Sequence, residues 1–130
     1  MLKYNVVSRN NPRNESMLYT GQLVSATPVG LEELAGEISN ECTVTIHDVK
    51  AVLSAMERHV ARYLRNGNSV RLGDLGSFHA RLHCKTEARL EAFTADNLIG
   101  LRVRFTPSKG LRYQLLKKNP AVSFQRVDAE

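Results

Sequence analysis

The chain has 130 residues, 42% of them apolar, no Trp, and a net charge of +5, which places its pI near 9.5. That length fits one domain with at most an appendage, its core must rest on Leu, Val, Ile and Ala, and its charge suits an acidic partner such as nucleic acid. The N-terminus lacks the apolar stretch of a secretory signal, no run approaches membrane-spanning length, and Cys42 and Cys84 form no C-x-x-C pair, so export, a membrane span and a zinc knuckle are not expected.

In chain order, residues 3–8 and 17–25 read as two strands, the second weakened by Gly21, with a polar loop from Arg9 to Glu15 between them. Pro28 and Gly30 break that pattern. Leu31, Leu34, Ala35 and Ile38 then fall at helical spacing, and Glu32 and Glu33 sit where they complement the positive end of a helix dipole. Thr45 followed three residues later by Asp48 is a variant of the capping box. Behind it Val49, Val52, Leu53, Met56, Val60, Tyr63 and Leu64 recur at steps of three and four, and Gly67 supplies the helix stop. The spacing predicts a helical hairpin whose second helix is about 30 Å long. As a DNA-reading helix-turn-helix it fits poorly, because Glu57 is mixed with Arg58, Arg62 and Arg65 on the polar face.

The period then changes to two. Val70 and Leu72 alternate with Ser69 and Arg71, and Gly73-Asp74-Leu75-Gly76 marks a tight turn. Phe78, Ala80, Leu82 and Cys84 alternate with His79, Arg81, His83 and Lys85, and Leu101, Val103 and Phe105 with Arg102, Arg104 and Thr106. These are half-buried strands with one basic face. Pro107 is expected to open a short last helix with Thr106 as its N-cap, and a loosely ordered tail is expected beyond Pro120.

Charge is unevenly spread. Residues 27–66 hold six acids against four bases, residues 67–106 six bases against four acids, and residues 107–130 five bases against two acids. The basic surplus therefore lies outside the central helical region.

Two segments carry a family resemblance. The stretch Leu64-Arg65-Asn66-Gly67-Asn68-Ser69-Val70-Arg71-Leu72-Gly73-Asp74-Leu75-Gly76-Ser77-Phe78 resembles the run in HU and integration host factor proteins where a helix ends at glycine and a glycine-rich turn opens the next strand. Asp74-Leu75 replaces the usual middle of that turn. Phe105-Thr106-Pro107-Ser108-Lys109-Gly110-Leu111 is similar to the family's Phe-Lys-Pro-Gly-Lys-x-Leu segment. The resemblance covers about residues 27–116, and the N-terminal extension and altered turn look like a divergent HU-related branch of Bacteroides type. It implies an α+β, HU-like fold: a helical hairpin, a three-stranded antiparallel sheet with a β-arm, and a short C-terminal helix. Residues 1–26 would be an added strand pair and residues 117–130 a flexible basic tail.

The resemblance also implies a bacterial, histone-like architectural protein of the cytoplasmic nucleoid. It would be a homodimer whose arms embrace double-stranded DNA with little sequence specificity, with no cofactor, metal, membrane or small-molecule substrate. One departure concerns the arm: members that kink DNA carry an Arg-Asn-Pro type tip, whereas residues 85–100 contain no proline and do contain Glu87, Glu91 and Asp96. Leu90 and Phe93 there are expected to pack on the sheet or a partner subunit rather than wedge between bases.

The candidate DNA-binding residues are Arg81, Lys85, Arg102 and Arg104, which converge if their strands pair with matching faces, with Lys109 and Arg112 gripping flanking phosphates. An ordinary solvated sheet face is the alternative reading. Arg58, Arg62 and Arg65 are expected as surface charges offset by nearby acids. His47, His59, His79 and His83 have no metal-ligand spacing, although His79 and His83 would share a strand face. No nucleophile–base pair stands out, so catalysis is not expected. The rival function from another class is an HU-fold protein-interaction or scaffold module that has lost DNA bending or DNA binding.

Overall fold

The computed structural model describes residues 1–127. The chain divides into two compact units, Val29–Leu111 and the pairing of Met1–Pro28 with the chain from Arg112 onward.

The central unit holds helices α1 (Leu31–Glu41) and α2 (Ile46–Arg65) and the antiparallel sheet β3 (Val70–Leu72), β4 (Gly76–Cys84) and β5 (Leu98–Pro107), in that strand order. Thr45 is the N-cap of α2, where its Oγ1 accepts from the Asp48 N–H at 3.3 Å. At the other end Gly67 lies in the left-handed region at φ +85. The Asn68 N–H donates to the Tyr63 carbonyl and the Gly67 N–H to the Leu64 carbonyl, both at 3.0 Å, which completes a Schellman motif. Helices α1 and α2 pack together around Ala35 and Val49, and Lys50 Nζ donates to Glu32 Oε1 at 2.6 Å across them. That ammonium, through its hydrogen bond and its charge, holds the Glu32 carboxyl below the usual carboxylate range. Glu32 is fully exposed, so the bridge is a minor contributor to stability.

The turn after β3 closes through the Leu75 N–H to the Leu72 carbonyl at 3.0 Å, with Gly73 at φ +52. Gly76 is buried at φ +150, and a Cβ there would lie 2.3 Å from the Thr106 carbonyl oxygen and 2.9 Å from Pro107 Cα. That close approach lets β4 begin against the end of β5. The Ser108 hydroxyl donates to the Asp74 carbonyl and accepts from the Leu111 N–H at 3.0 Å. Ser108, rather than the expected Thr106, therefore caps α3 (Lys109–Leu115), because Pro107 remains in β5 as its last residue.

The second unit is a mixed sheet in the order β2-β1-β6, from β1 (Leu2–Asn10), β2 (Met17–Leu23) and β6 (Phe124–Arg126). Strand β2 runs antiparallel to β1, with Tyr4 opposite Leu23 and Asn10 opposite Met17. The loop between them is held by Asn11, whose Oδ1 accepts from the Arg13 N–H and whose carbonyl accepts from the Glu15 N–H. Strand β6 falls within residues 117–130, where a flexible tail is expected. It lies parallel to β1, with Leu2 opposite Phe124, and the Tyr4 and Phe124 rings meet edge-on at 6.4 Å. The free edge of β1 offers N–H and C=O groups that the tail satisfies, down to the Val127 N–H on the Tyr4 carbonyl at 2.7 Å. Residues 128–130 of that expected tail lie outside the described residues.

Both cysteines are free, Cys42 exposed and Cys84 partly buried. Among the described residues no helix is long and apolar enough to cross a membrane.

The two turn glycines differ in what surrounds them. Gly73→Ala meets open space, so its cost is the left-handed backbone alone, about 1–2 kcal/mol. Gly76→Ala adds a clash with backbone atoms that have no rotamer to yield, and it should lose clearly more stability than Gly73→Ala in denaturant unfolding. Equal losses would show that the β4–β5 start can open without cost.

Candidate nucleic-acid interface

The interface is built by register. Strand β4 pairs with β5 so that Phe78 faces Phe105, Ala80 faces Val103 and Leu82 faces Leu101, while Ser77 faces Thr106, His79 faces Arg104 and Arg81 faces Arg102. Partners in register share a face. One side of the sheet is therefore apolar, with the Phe78 and Phe105 rings 5.0 Å apart, and the other carries three arginines and two histidines. Arg71 of β3 pairs with Ser77 and joins the polar side.

Three of the expected cations converge: Arg81, Arg102 and Arg104 are exposed neighbours on two adjacent strands. Lys85 is not with them. The register shifts between His83 and Cys84, β4 ends at Cys84, and Lys85 enters the connection to β5, its N–H donating to the Asn97 carbonyl at 2.8 Å. Period-two counting runs past the end of the strand here, because β5 carries an extra residue at Ile99. Lys109 belongs to the central unit at the start of α3, whereas Arg112, in the last turn of that helix, belongs to the other unit.

The polar face holds no ion pair among the described residues. Among the described residues the salt bridges are Lys50–Glu32 and Arg89–Glu91, and neither lies on it. Arg81 and Arg102 are thus like charges directly opposite each other with no acid between them. Arg102 Nη2 reaches His83 Nε2 at 2.8 Å. A guanidinium only donates, so Nε2 is the acceptor and the bonded ring is the neutral tautomer with its proton on Nδ1. His79 Nδ1 is tied to the Ser69 hydroxyl at 3.0 Å. Sequence reading set these histidines aside as non-ligands, and no group of three His, Cys, Asp or Glu side chains suited to a metal occurs among the described residues. Their place beside the arginines was visible only as strand parity.

In α2, Arg58, Arg62 and Arg65 make no salt bridge among the described residues, and the Arg62 guanidinium lies 5.2 Å from the centre of the Tyr63 ring.

The connection between β4 and β5 replaces the expected β-arm. Residues 85–97 contain no strand; they form two 3-10 turns, Leu90–Ala92 and Ala95–Asn97. Buried Asn97 organises them. Its Nδ2 donates to the Lys85 carbonyl at 3.3 Å and to Glu87 Oε1 at 2.9 Å, and its Oδ1 accepts from the Thr94 N–H at 3.1 Å. Leu90 is 89% exposed and does not pack on the sheet of its own chain.

The helical pair, the sheet with one cationic face and the short helix after it define an HU-like α+β protein. The family of the HU domain fused to wHTH, Ig, or glycine-rich motif matches residues 1–123, and the chain belongs to that family. Among solved structures it is similar to a bacterial protein of provisional DNA-binding assignment from Bacteroides vulgatus ATCC 8482, at 21% identity and a TM-score of 0.68 over 99% of this chain. The chain spans 49% of that protein's length. It is also similar to Anabaena HU, solved with DNA, at 24% identity and a TM-score of 0.51 over 66% of this chain and 96% of that one. No curated protein matches.

The facing arginines make a prediction about stability alone. Like charges directly opposite destabilise a sheet, and an opposite pair contributes roughly 0.2–1 kcal/mol. Arg81→Glu should therefore raise the unfolding free energy of the free protein by about that amount at low salt, and the gain should shrink as salt screens it. A destabilised Arg81→Glu protein would mean that the two side chains do not interact across the strands.

Proposed function

We propose that the chain is an architectural, nucleoid-associated protein that binds double-stranded DNA as a homodimer, with little sequence specificity and without a cofactor or catalytic step. One observation carries this reading: the facing pair Arg81 and Arg102, extended by Arg104, is held on a regular strand pair without a salt bridge among the described residues. Such a face is costly in the free protein and is relieved by a polyanion. Phosphate groups supply that charge at any sequence, which is why little specificity is expected. Family membership supports the reading, as does the likeness of fold to an HU protein solved with DNA. Lys109 and Arg112 are assigned to flanking phosphates, and the place of action would be the cytoplasmic nucleoid. The compact 85–97 connection, with no proline to insert, gives no support to sharp DNA bending.

The homodimer rests on burial. Ala35 and Val49 are the apolar residues buried among those described, whereas Val52, Met56 and Tyr63 of α2 and Leu82, Leu101 and Val103 of the sheet are each 40% exposed or more. Covering a side chain of this kind contributes about 1.5–3 kcal/mol, and a chain this small has few other sources of stability. A second copy presenting the same surfaces covers both.

The rival, an interaction module without DNA binding, draws on Glu87, Glu91 and Asp96 in the 85–97 connection, which phosphates would repel. Titration on duplex DNA separates the two. Binding should weaken with salt on a log–log scale by about 0.9 per phosphate neutralised. Undetectable binding at roughly 50 mM salt, a condition where phosphate-driven binding is still strong, would favour the interaction module.

Replacing Arg81, Arg102 and Arg104 by alanine should cost markedly more affinity, and flatten the salt slope more, than replacing Arg58, Arg62 and Arg65. Equal losses would show that charge alone matters and that the sheet is not the principal site. Sedimentation of the wild type at micromolar concentration should give about twice the monomer mass, and Val103→Asp should shift it toward monomer. A cooperatively melting wild-type monomer would remove the dimer from the proposal.

A further inference from the structure

Strand β2 is an edge of the β2-β1-β6 sheet. Its seven residues, Met-Leu-Tyr-Thr-Gly-Gln-Leu, are all exposed, hold no charge and no proline, and pair with β1 without a bulge. Edge strands are ordinarily blunted by such devices, and β2 carries none of them. The Val24 N–H donates to the Lys3 carbonyl at 2.9 Å, which fixes the alternation along the pair. Leu18, Thr20 and Gln22 turn their main-chain groups toward β1, and Met17, Tyr19, Gly21 and Leu23 turn theirs outward. The side chains of that outward set share a face with Tyr4, which stands opposite Leu23. On this face a hollow of about 530 Å³ is lined in part by Leu2, Tyr4, Gly21, Leu23, Phe124 and Lys117. A Cβ on Gly21 would meet Tyr4 Cδ2 at 3.9 Å and nothing nearer, so the space above this glycine is open.

We propose that this edge takes the β2 strand of a second copy, antiparallel and centred on Thr20. The contact does not rest on the DNA-binding reading, and it uses none of the α2 and sheet surfaces assigned to the homodimer. In that register Tyr19 lies opposite the partner's Gly21, and Met17 opposite the partner's Leu23, each twice by symmetry. Every outward-facing residue of both strands is then paired, which no other antiparallel register achieves. Each Tyr19 ring covers the glycine of the other copy, where bare backbone leaves room for an aromatic side chain.

Charge agrees with self-pairing. The strand itself brings no like charges together. Lys117 and Glu15 make no salt bridge among the described residues. Setting the partner's Met17 beside Leu23 carries the partner's Glu15 toward the hollow that Lys117 lines. Seven residues a side fall well short of the roughly 20–30 of a standard interface, so the contact is weak and forms as concentration rises.

Disulfide trapping tests the register. Thr20 faces the partner's Thr20 at a non-hydrogen-bonded position, where Cα atoms stand about 4.5 Å apart, within reach of a disulfide. Leu18 and the partner's Leu18 are four residues out of step, roughly 13 Å along the strand, which is beyond that reach. In full-length chains carrying Cys42→Ser and Cys84→Ser, Thr20→Cys should cross-link several-fold faster than Leu18→Cys in a glutathione redox buffer. Thermal melts establish that both variants are folded. Equal rates would mean random collision and would overturn the proposal. The unmodified protein supplies a second measurement. As its concentration rises from micromolar to millimolar, amide exchange at Tyr19, Gly21 and Leu23 should slow several-fold, while Leu18, Thr20 and Gln22, already bonded to β1, should change far less. Exchange that is the same at every concentration would overturn the pairing. Protection of the outward amides without preferential linkage at residue 20 would point to another register or another occupant, and would overturn the self-pairing about Thr20.

Discussion

The register between β4 and β5 is the constraint on which the rest depends. A strand pair has two faces, and parity assigns each residue to one of them. Once Phe78 is set opposite Phe105, every arginine of the two strands is committed to the far side, and Arg81 must face Arg102. A slip of one residue would turn one strand's arginines to the apolar side and break up the Phe78–Phe105 contact. The register is pinned at its start by Gly76, where no side chain fits between β4 and the end of β5, and by Ser108, which ties the β3–β4 turn to the start of α3. The apolar contacts that hold the sheet together thus also concentrate its positive charge.

The same division leaves each face incomplete in its own way. Among the described residues the polar side lacks a counter-charge, and the apolar side lacks cover, since Val103 is 64% and Leu82 60% exposed. On the proposed reading a polyanion completes the first and a second copy the second. The two needs reinforce one another, because a dimer doubles the phosphate contacts available to one duplex. Mass action then couples them, as a ligand that binds only the folded dimer stabilises it.

The other unit shows a different way of closing a sheet. Strand β1 sits between a hairpin partner close in sequence and a partner from the far end of the chain. A parallel pair needs a long crossover, and here the whole central unit supplies it. The chain spans about half of the Bacteroides vulgatus protein it resembles. In the central unit, the place where an extended arm was expected is taken by a loop closed on buried Asn97, with acids around it.

Periodicity and local chemistry were enough to read much of the molecule. The three-and-four spacing from Val49 to Leu64, Thr45 as N-cap and Gly67 as stop all act within a few residues, so the sequence by itself determined α2 and both its ends. Alternation likewise determined that Arg81, Arg102 and Arg104 lie opposite an apolar face, because side-chain parity is a property of the strand alone. The fate of Lys85 needed the register shift beside Cys84. The capture of Phe124–Arg126 by β1 depended on an edge that becomes available only when the sheet exists. Those decisions were tertiary, because each pairs groups far apart in sequence whose meeting no local spacing encodes.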